Sequence, residues 1–247
     1  MVNNFFTPKE TADLISESSI NKATMSIKKR VFLSFMAGIF ISLGGQGFLT
    51  IFNNSFLRAA VFPVGLMLIV LVGGELFTGN CMMTFGYTQK KIKLKNYISS
   101  ILQVYFGNLI GALFVVFLVY FSGLYKNGST LYASITAVAT AKSNLTFVEA
   151  MFKGILCNIL VVLGVWFATA SKDITGKLLG CWFPVMLFVL CGYEHCVANM
   201  FFMPLGALIN ENITIFSVIN NLIPVTIGNF IGGGLLIPLV YNQVFYK

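Results

Sequence analysis

Charge is scarce in this sequence. Asp, Glu, Lys and Arg make up 10% of its 247 residues, against roughly 25% in soluble globular domains. A surface wetted on all sides cannot be built from that supply, so a soluble fold is excluded. Histidine is scarcer still, at one copy, and the five cysteines (Cys81, Cys157, Cys181, Cys191, Cys196) lie in apolar stretches without a CxxC pair. A bis-His haem, a four-ligand cluster or a zinc site needs more ligands than that, so no cofactor and no metal are expected. The thiols read as small packing residues rather than a disulfide framework. A membrane redox enzyme fails on the same grounds, and no nucleotide-binding motif is present, so the chain is not expected to be an enzyme. The net charge of +8 comes from basic residues spread over the polar segments rather than gathered on one face, and nucleic acid is not an expected partner. The N-terminus is polar through Lys22, without the apolar core of a cleaved secretory signal.

What the chain has in quantity is apolar side chain: 57% hydrophobic residues, 25 Phe and 23 Gly, with a mean hydropathy of +0.86. A bilayer core of about 30 Å takes about 20 apolar residues as helix, and six windows qualify, near 31–51, 59–89, 97–125, 147–171, 178–209 and 222–245. An even number of spans puts both termini on one side. That side carries Lys9, Lys22, Lys28, Lys29, Arg30, Lys90, Lys91, Lys93, Lys95, Lys172, Lys177 and Lys247, and the other only Arg58, Lys126, Lys142 and Lys153. The positive-inside bias therefore predicts a multi-pass plasma-membrane protein with both termini cytoplasmic. Thr7-Pro8-Lys9-Glu10 has the form of a capping box with Pro at the first helical position. It predicts a short cytoplasmic helix from about Pro8 to Ala23, solvated along the membrane surface or, alternatively, acting as a plug or gate.

The second and fifth windows are long and polar in the middle. One contains Gly73-Gly74-Glu75-Leu76-Phe77-Thr78-Gly79-Asn80, the other Gly192-Tyr193-Glu194-His195-Cys196-Val197-Ala198-Asn199. Each sets Glu and Asn five residues apart, with glycine where a helix would weaken. The spans that follow both read V-x-x-G-N-x-I-G, as Val104–Gly111 and Val225–Gly232. Glu75 precedes Asn108 by 33 residues and Glu194 precedes Asn229 by 35. The fold expected is thus all-α and integral to the membrane: six transmembrane helices in two inverted three-helix repeats, with helices two and five interrupted. In residue terms this is one channel domain over 1–247, an N-terminal helix within 1–29, repeat one at 30–125 and repeat two at 147–247. Interrupted helices at matching positions of inverted repeats point to a binding or permeation site at the repeat interface. The Gly107/Gly111 and Gly228/Gly232 pairs have a plainer role in close helix packing.

Glu75, Glu194 and His195 are ionisable groups at apolar depth and so functional suspects. For the two glutamates, together with Asn80 and Asn199, the preferred reading is structural, each carboxylate capping backbone N–H groups freed by the neighbouring break. His195 is placed in function: an imidazole at a pore centre can donate a hydrogen bond or a proton to a small anion. Thr78, Asn158 and Lys142 supply further donors, with Lys142 either an exposed loop charge or an attractor for incoming anions.

At these residues the chain resembles the formate/nitrite transporter family over nearly its whole length. The resemblance is carried by Glu75–Asn80, Val104–Asn108, Leu145–Ala150, the run around Asn158, Gly192–Met200 and Asn221–Asn229. It implies an aquaporin-like protomer, a homopentamer in membrane lipid with one pore per protomer, and passage of small monovalent anions of weak acids. It also implies that His195 and Thr78 meet the permeant, that Asn158 supports His195, and that Lys142 faces the outer vestibule. Apolar constrictions would come from Phe62, Leu66, Leu76, Phe77, Val161 and Phe188. Formate-type relatives often carry extra His beside the loop Lys, whereas this loop reads Ala141-Lys142-Ser143-Asn144. That departure loosens the substrate reading. The short stretch from Asn210 to Asn221, without the longer outer loop of some formate-type members, and the Glu75–Asn80 run, which looks most like the hydrosulfide-channel branch, incline it to hydrosulfide, with formate or nitrite as the other anions. An aquaporin-like channel for neutral solutes is the alternative.

Overall fold

The computed structural model describes residues 4–247. Where water is absent, backbone N–H and C=O groups must pair internally, and helices achieve this within one segment. The described residues are accordingly helical, with one isolated bridge between Phe5 and Ser171 and no strand. The order is α1 (Pro8–Thr24), α2 (Ile27–Thr50), α3 (Ser55–Val61), α4 (Val64–Val72) and, after an interruption, a helical run of α5 (Phe77–Asn80), a 3₁₀ turn at Cys81–Met83 and α6 (Thr84–Thr88). Then come α7 (Leu94–Phe121), α8 (Thr130–Ser143), α9 (Phe147–Ala170), α10 (Ile174–Leu190) and, after a second interruption, α11 (Cys196–Ile209). The chain closes with α12 (Ile215–Phe230), a π-helical turn at Ile231–Leu236 and α13 (Ile237–Tyr246).

Five helical stretches are long and apolar enough to cross a membrane: 27–50, 55–72, 94–121, 147–170 and 215–246. The fifth window, 178–209, is divided between the shorter α10 and α11, as its expected interruption requires. Both interruptions form where anticipated and share a cause. Gly73 and Gly192 take φ of 103° and 67°, a region that costs residues with a Cβ, so α4 and α10 stop there. Thr140-Ala141-Lys142 belongs to the last turn of α8 rather than to a loop.

Close packing builds the frame around the breaks. A Cβ at Gly111 would overlap the Phe35 carbonyl, and one at Gly232 the Ile155 carbonyl. In this way α7 lies tight on α2, and α12 with its π turn lies tight on α9. The cysteines carry no disulfide; Cys81, Cys157, Cys181 and Cys196 are buried in packing, whereas Cys191, at the end of α10, is exposed.

The N-terminal segment corrects one expectation, its first three residues lying outside the described ones. The capping box forms, with Glu10 Oε2 accepting from the Thr7 N–H at 2.7 Å, but α1 is not a solvated surface helix. Thr11, Ala12, Ile15, Ser16 and Ser19 are buried, and Ala12 and Ile15 join Met82, Phe85, Val162, Trp166 and Ile237 in one apolar cluster. Ahead of it, the Phe6 N–H donates to Ala170 O at 2.8 Å and the Lys172 N–H to Asn4 O at 3.1 Å. Tyr246 donates to Asp13 at 2.7 Å. The bonds from Lys9 and Tyr246 hold the Asp13 carboxyl below its ordinary range. Few apolar residues suffice here because the surface beneath α1 is itself apolar.

The packing makes a direct prediction. Gly111→Ala should lower the unfolding temperature in detergent, at an overpacking cost of about 1–3 kcal/mol. Gly79→Ala, whose new methyl would meet only Val165 at 3.5 Å, should not.

Candidate functional site

A helix interruption leaves backbone N–H and C=O groups without intrahelical partners. Two asparagines satisfy them here. Asn108 Oδ1 accepts the Phe77 N–H at 2.9 Å, while its Nδ2 donates to Ser34 O at 2.8 Å and Glu75 O at 2.9 Å. In the second half Asn229 Oδ1 accepts the Cys196 N–H at 2.9 Å, and its Nδ2 donates to Gly154 O at 2.8 Å and Glu194 O at 2.9 Å. The Glu75 N–H goes to Leu33 O at 3.1 Å and the Glu194 N–H to Lys153 O at 3.3 Å.

The glutamate side chains therefore do not cap the freed backbone, which overturns the structural role expected of them. Each is the acceptor of a lysine and an asparagine. Lys22 reaches from α1 to both oxygens of Glu75 at 2.9 and 2.8 Å, and Asn80 Nδ2 donates to Oε2 at 2.6 Å. Lys142 reaches from α8 to both oxygens of Glu194 at 2.9 Å, and Asn199 Nδ2 donates to Oε2 at 2.6 Å. Lys142, its side chain 14% exposed, is thus an inward-turned, charge-matched group and not a free loop cation.

Between the two interruptions lies His195, 3% exposed. It is the N-cap of α11: its Nδ1 accepts the Ala198 N–H at 3.1 Å. A backbone N–H can only donate, so Nδ1 carries a lone pair and the neutral ring holds its proton on Nε2. That Nε2 lies 2.9 Å from Thr78 Oγ1, as donor to the hydroxyl, which keeps its own proton available. Asn158 does not reach the ring. Its Nδ2 donates to Thr78 O at 3.3 Å and Asn229 O at 2.6 Å, so it holds the backbone beneath Thr78, and its Oδ1 is buried without a partner.

Three cavities lie in series around this group. On the Lys22 side a space of about 570 Å³ is bordered by Lys22, Asn80, Lys177, Leu66 and Leu76. The next, of about 10 Å³, is walled by Ile41, Phe62, Leu66, Leu76, Val161, Val185, Phe188 and His195. That is no more than about one water's room. On the Lys142 side a space of about 90 Å³ is lined by Phe48, Phe62, Lys142, Phe188, Glu194, His195 and Phe202. Leu66 and Leu76 border the first two; Phe62, Phe188 and His195 border the last two. The structure thus brings Phe62, Leu66, Leu76, Val161 and Phe188 together as a slit beside His195. Phe77 does not join them, its ring packing edge-on to Tyr105 at 5.1 Å, and fully buried Thr78 sits behind the imidazole.

Lys22, the bonding of Asn108 and Asn229, and the wall residues Ile41 and Val185 were not expected from the sequence. A signal existed for the first: Lys22 and Glu75 are 53 residues apart, Lys142 and Glu194 52. The asparagines were visible as a repeat, but nothing in the pattern says that their amides span three backbone groups. Among the described residues no group of three or more His, Cys, Asp or Glu could hold a metal ion.

Known proteins share this framework. The sequence model described as formate/nitrite transporter matches residues 9–242. The chain is 36% identical over its full length, and that of the relative, to a probable formate transporter of Methanothermobacter thermautotrophicus. Among solved structures it is similar to a pentameric formate channel with formate bound, at TM-score 0.79 and 30% identity, over 90% of this chain and 98% of that one. An aquaglyceroporin from Plasmodium falciparum, at TM-score 0.50 and 20% identity over 86% of this chain and 96% of that one, shares the fold alone.

The site predicts that Asn229→Ala will be severe. It strands the Cys196 N–H and two carbonyls at about 1–3 kcal/mol for each unsatisfied group, and thermal unfolding in detergent should show a loss of that order. Asn108→Ala should match it. A variant with wild-type stability would contradict the assigned role.

Proposed function

The chain belongs to the formate/nitrite transporter family, and we propose that within it this protein is a passive channel for small monovalent anions of weak acids. It is a multi-pass membrane protein whose relatives are channels and transporters, not enzymes. The observation that carries the reading is the series of three cavities, with His195 common to the slit and to the Lys142-side space. His195 is the polar group that borders the slit. An anion at the narrowest point takes the imidazole Nε2–H in place of Thr78 Oγ1, which the ring bonds in this structure, and the Thr78 hydroxyl behind the ring becomes a second donor once that bond opens. Asn158 fixes the Thr78 backbone, and Phe62, Leu66, Leu76, Val161 and Phe188 strip or exclude hydrated ions. A bare anion in that slit costs several kcal/mol, which protonation removes. Flux then follows the anion and proton gradients together.

Residues 30–125 and 147–247 act in this proposal as inverted repeats, related by the matched Asn108 and Asn229 networks. Since Lys22 on α1 does for Glu75 what Lys142 on α8 does for Glu194, α1 and α8 belong to their repeats rather than lying outside them. Twelve of the sixteen basic residues lie on the Lys22 side, so that side, with both termini, is cytoplasmic. Five copies assemble with one pore each, a stoichiometry supported by the likeness to the pentameric formate channel. Formate stands first among permeants because similar proteins are described as formate channels and transporters. Hydrosulfide is the second reading, favoured by the Glu75–Asn80 run, by the absence of His beside Lys142 at the end of α8, and by a slit of about 10 Å³.

Uptake of formate, nitrite, hydrosulfide and chloride into proteoliposomes at two pH values tests the proposal: the three weak-acid anions pass and chloride does not. Swelling without anion flux would favour a neutral-solute channel. His195→Asn should lower formate flux by about tenfold to a hundredfold, a hydrogen bond to a charged group being worth about 1.5–3 kcal/mol, and alter the pH profile. An unchanged profile for every anion would remove His195 from the mechanism.

A further inference from the structure

On the Lys142 side the evident cation is cancelled. Lys142 is bound by both oxygens of Glu194, so the pair offers an approaching anion a dipole rather than a charge. Arg58 on α3 differs. Its Nε donates to Phe48 O at 3.1 Å, and its guanidinium also donates to Ser134 Oγ. Both acceptors are neutral, and among the described residues no carboxylate pairs with it. Its charge is therefore whole. The guanidinium lies 4.3 Å from the centroid of the Phe48 ring. That ring lies 6.5 Å from Phe62 and 5.7 Å from Phe202, and all three line the space at this mouth. Arg58 thus stands one aromatic ring behind the vestibule wall, half-buried and held by two hydrogen bonds. Phe48 shields it from direct contact with the permeant while apolar walls keep its field from being damped as it would be in water.

We propose that Arg58, and not Lys142, supplies the net positive potential that gathers permeant anions at this mouth. The inference rests on the channel reading above. A fixed charge that steers without touching acts on capture, so it governs flux at low anion concentration and leaves the saturated rate alone. It is also weakened by inert salt.

The test is formate uptake into proteoliposomes, measured against formate concentration at low and high concentrations of an inert salt. Arg58→Gln keeps a hydrogen-bonding side chain without charge. Ser134→Asp leaves the guanidinium in place and gives it a counter-charge. Removing or matching one unit charge near the mouth, each should raise the half-saturating formate concentration about three- to tenfold and flatten its salt dependence, with maximal flux unchanged. Arg58→Lys should stay close to wild type. The proposal is overturned if both neutralising variants keep the wild-type half-saturation and salt dependence, or if Arg58→Lys behaves as Arg58→Gln. Wild-type protein that takes up none of the anions would instead defeat the channel reading itself, so the two failures are separable.

Discussion

A helix broken inside an apolar environment must have its freed backbone groups hydrogen-bonded by something, and in this protein two buried amides do it. Asn108 and Asn229 each join three backbone groups from three segments: the incoming extended residue, the first residue of the following half-helix and the neighbouring long helix. An amide suits this post because it is both acceptor and double donor at no net charge. Neither a carboxylate nor an amine could serve all three. Once the breaks are stable, Thr78 and His195 can face each other at 2.9 Å. Every other feature of the site presupposes that arrangement.

The two halves keep the same frame and differ where chemistry is needed. Leu76 precedes one half-helix without a side-chain cap, whereas His195 holds the corresponding place and caps the other. Gly38 packs directly on the backbone of Asn108, whereas its counterpart Asn158 spends its amide on Asn229 O and crosses to Thr78 O. Room for that larger side chain comes from Gly233, where a Cβ would collide with Asn158, inside the π-helical turn at Ile231–Leu236. The irregularity in the last helix is therefore tied to the asymmetry of the site. Charge is matched alike in both halves: each glutamate is paired with one lysine, so neither pair leaves a net charge at its interruption.

Much of this was legible in the sequence. Scarce charge and long apolar runs dictated a membrane protein, and the paired Glu-x4-Asn and G-N-x-I-G patterns located both interruptions to within a residue or two. Glycine signals backbone directly, which is why Gly73 and Gly192 were informative. The glutamates were misread because helix ends ordinarily recruit carboxylates as caps, and the lysines that engage them lie more than fifty residues upstream. Nothing local about Lys22 sets it apart from Lys28 or Lys29. The burial of α1 was hidden as well, since its few apolar residues became an anchor only against Met82, Phe85 and Trp166. Phe77 could not be told from Leu76 as a wall residue, because adjacent positions at the start of a helix face different ways and only the packed structure says which.

The central claim is that a permeant anion pauses at the imidazole where the two half-helices meet. An experimental structure of the assembled protein in lipid, solved with saturating formate, tests it most directly. The account predicts density for the anion within hydrogen-bond reach of His195 Nε2 and Thr78 Oγ1, between Phe62 and Leu76. Density for formate only outside that slit, with the ring still sealed against Thr78, would contradict it.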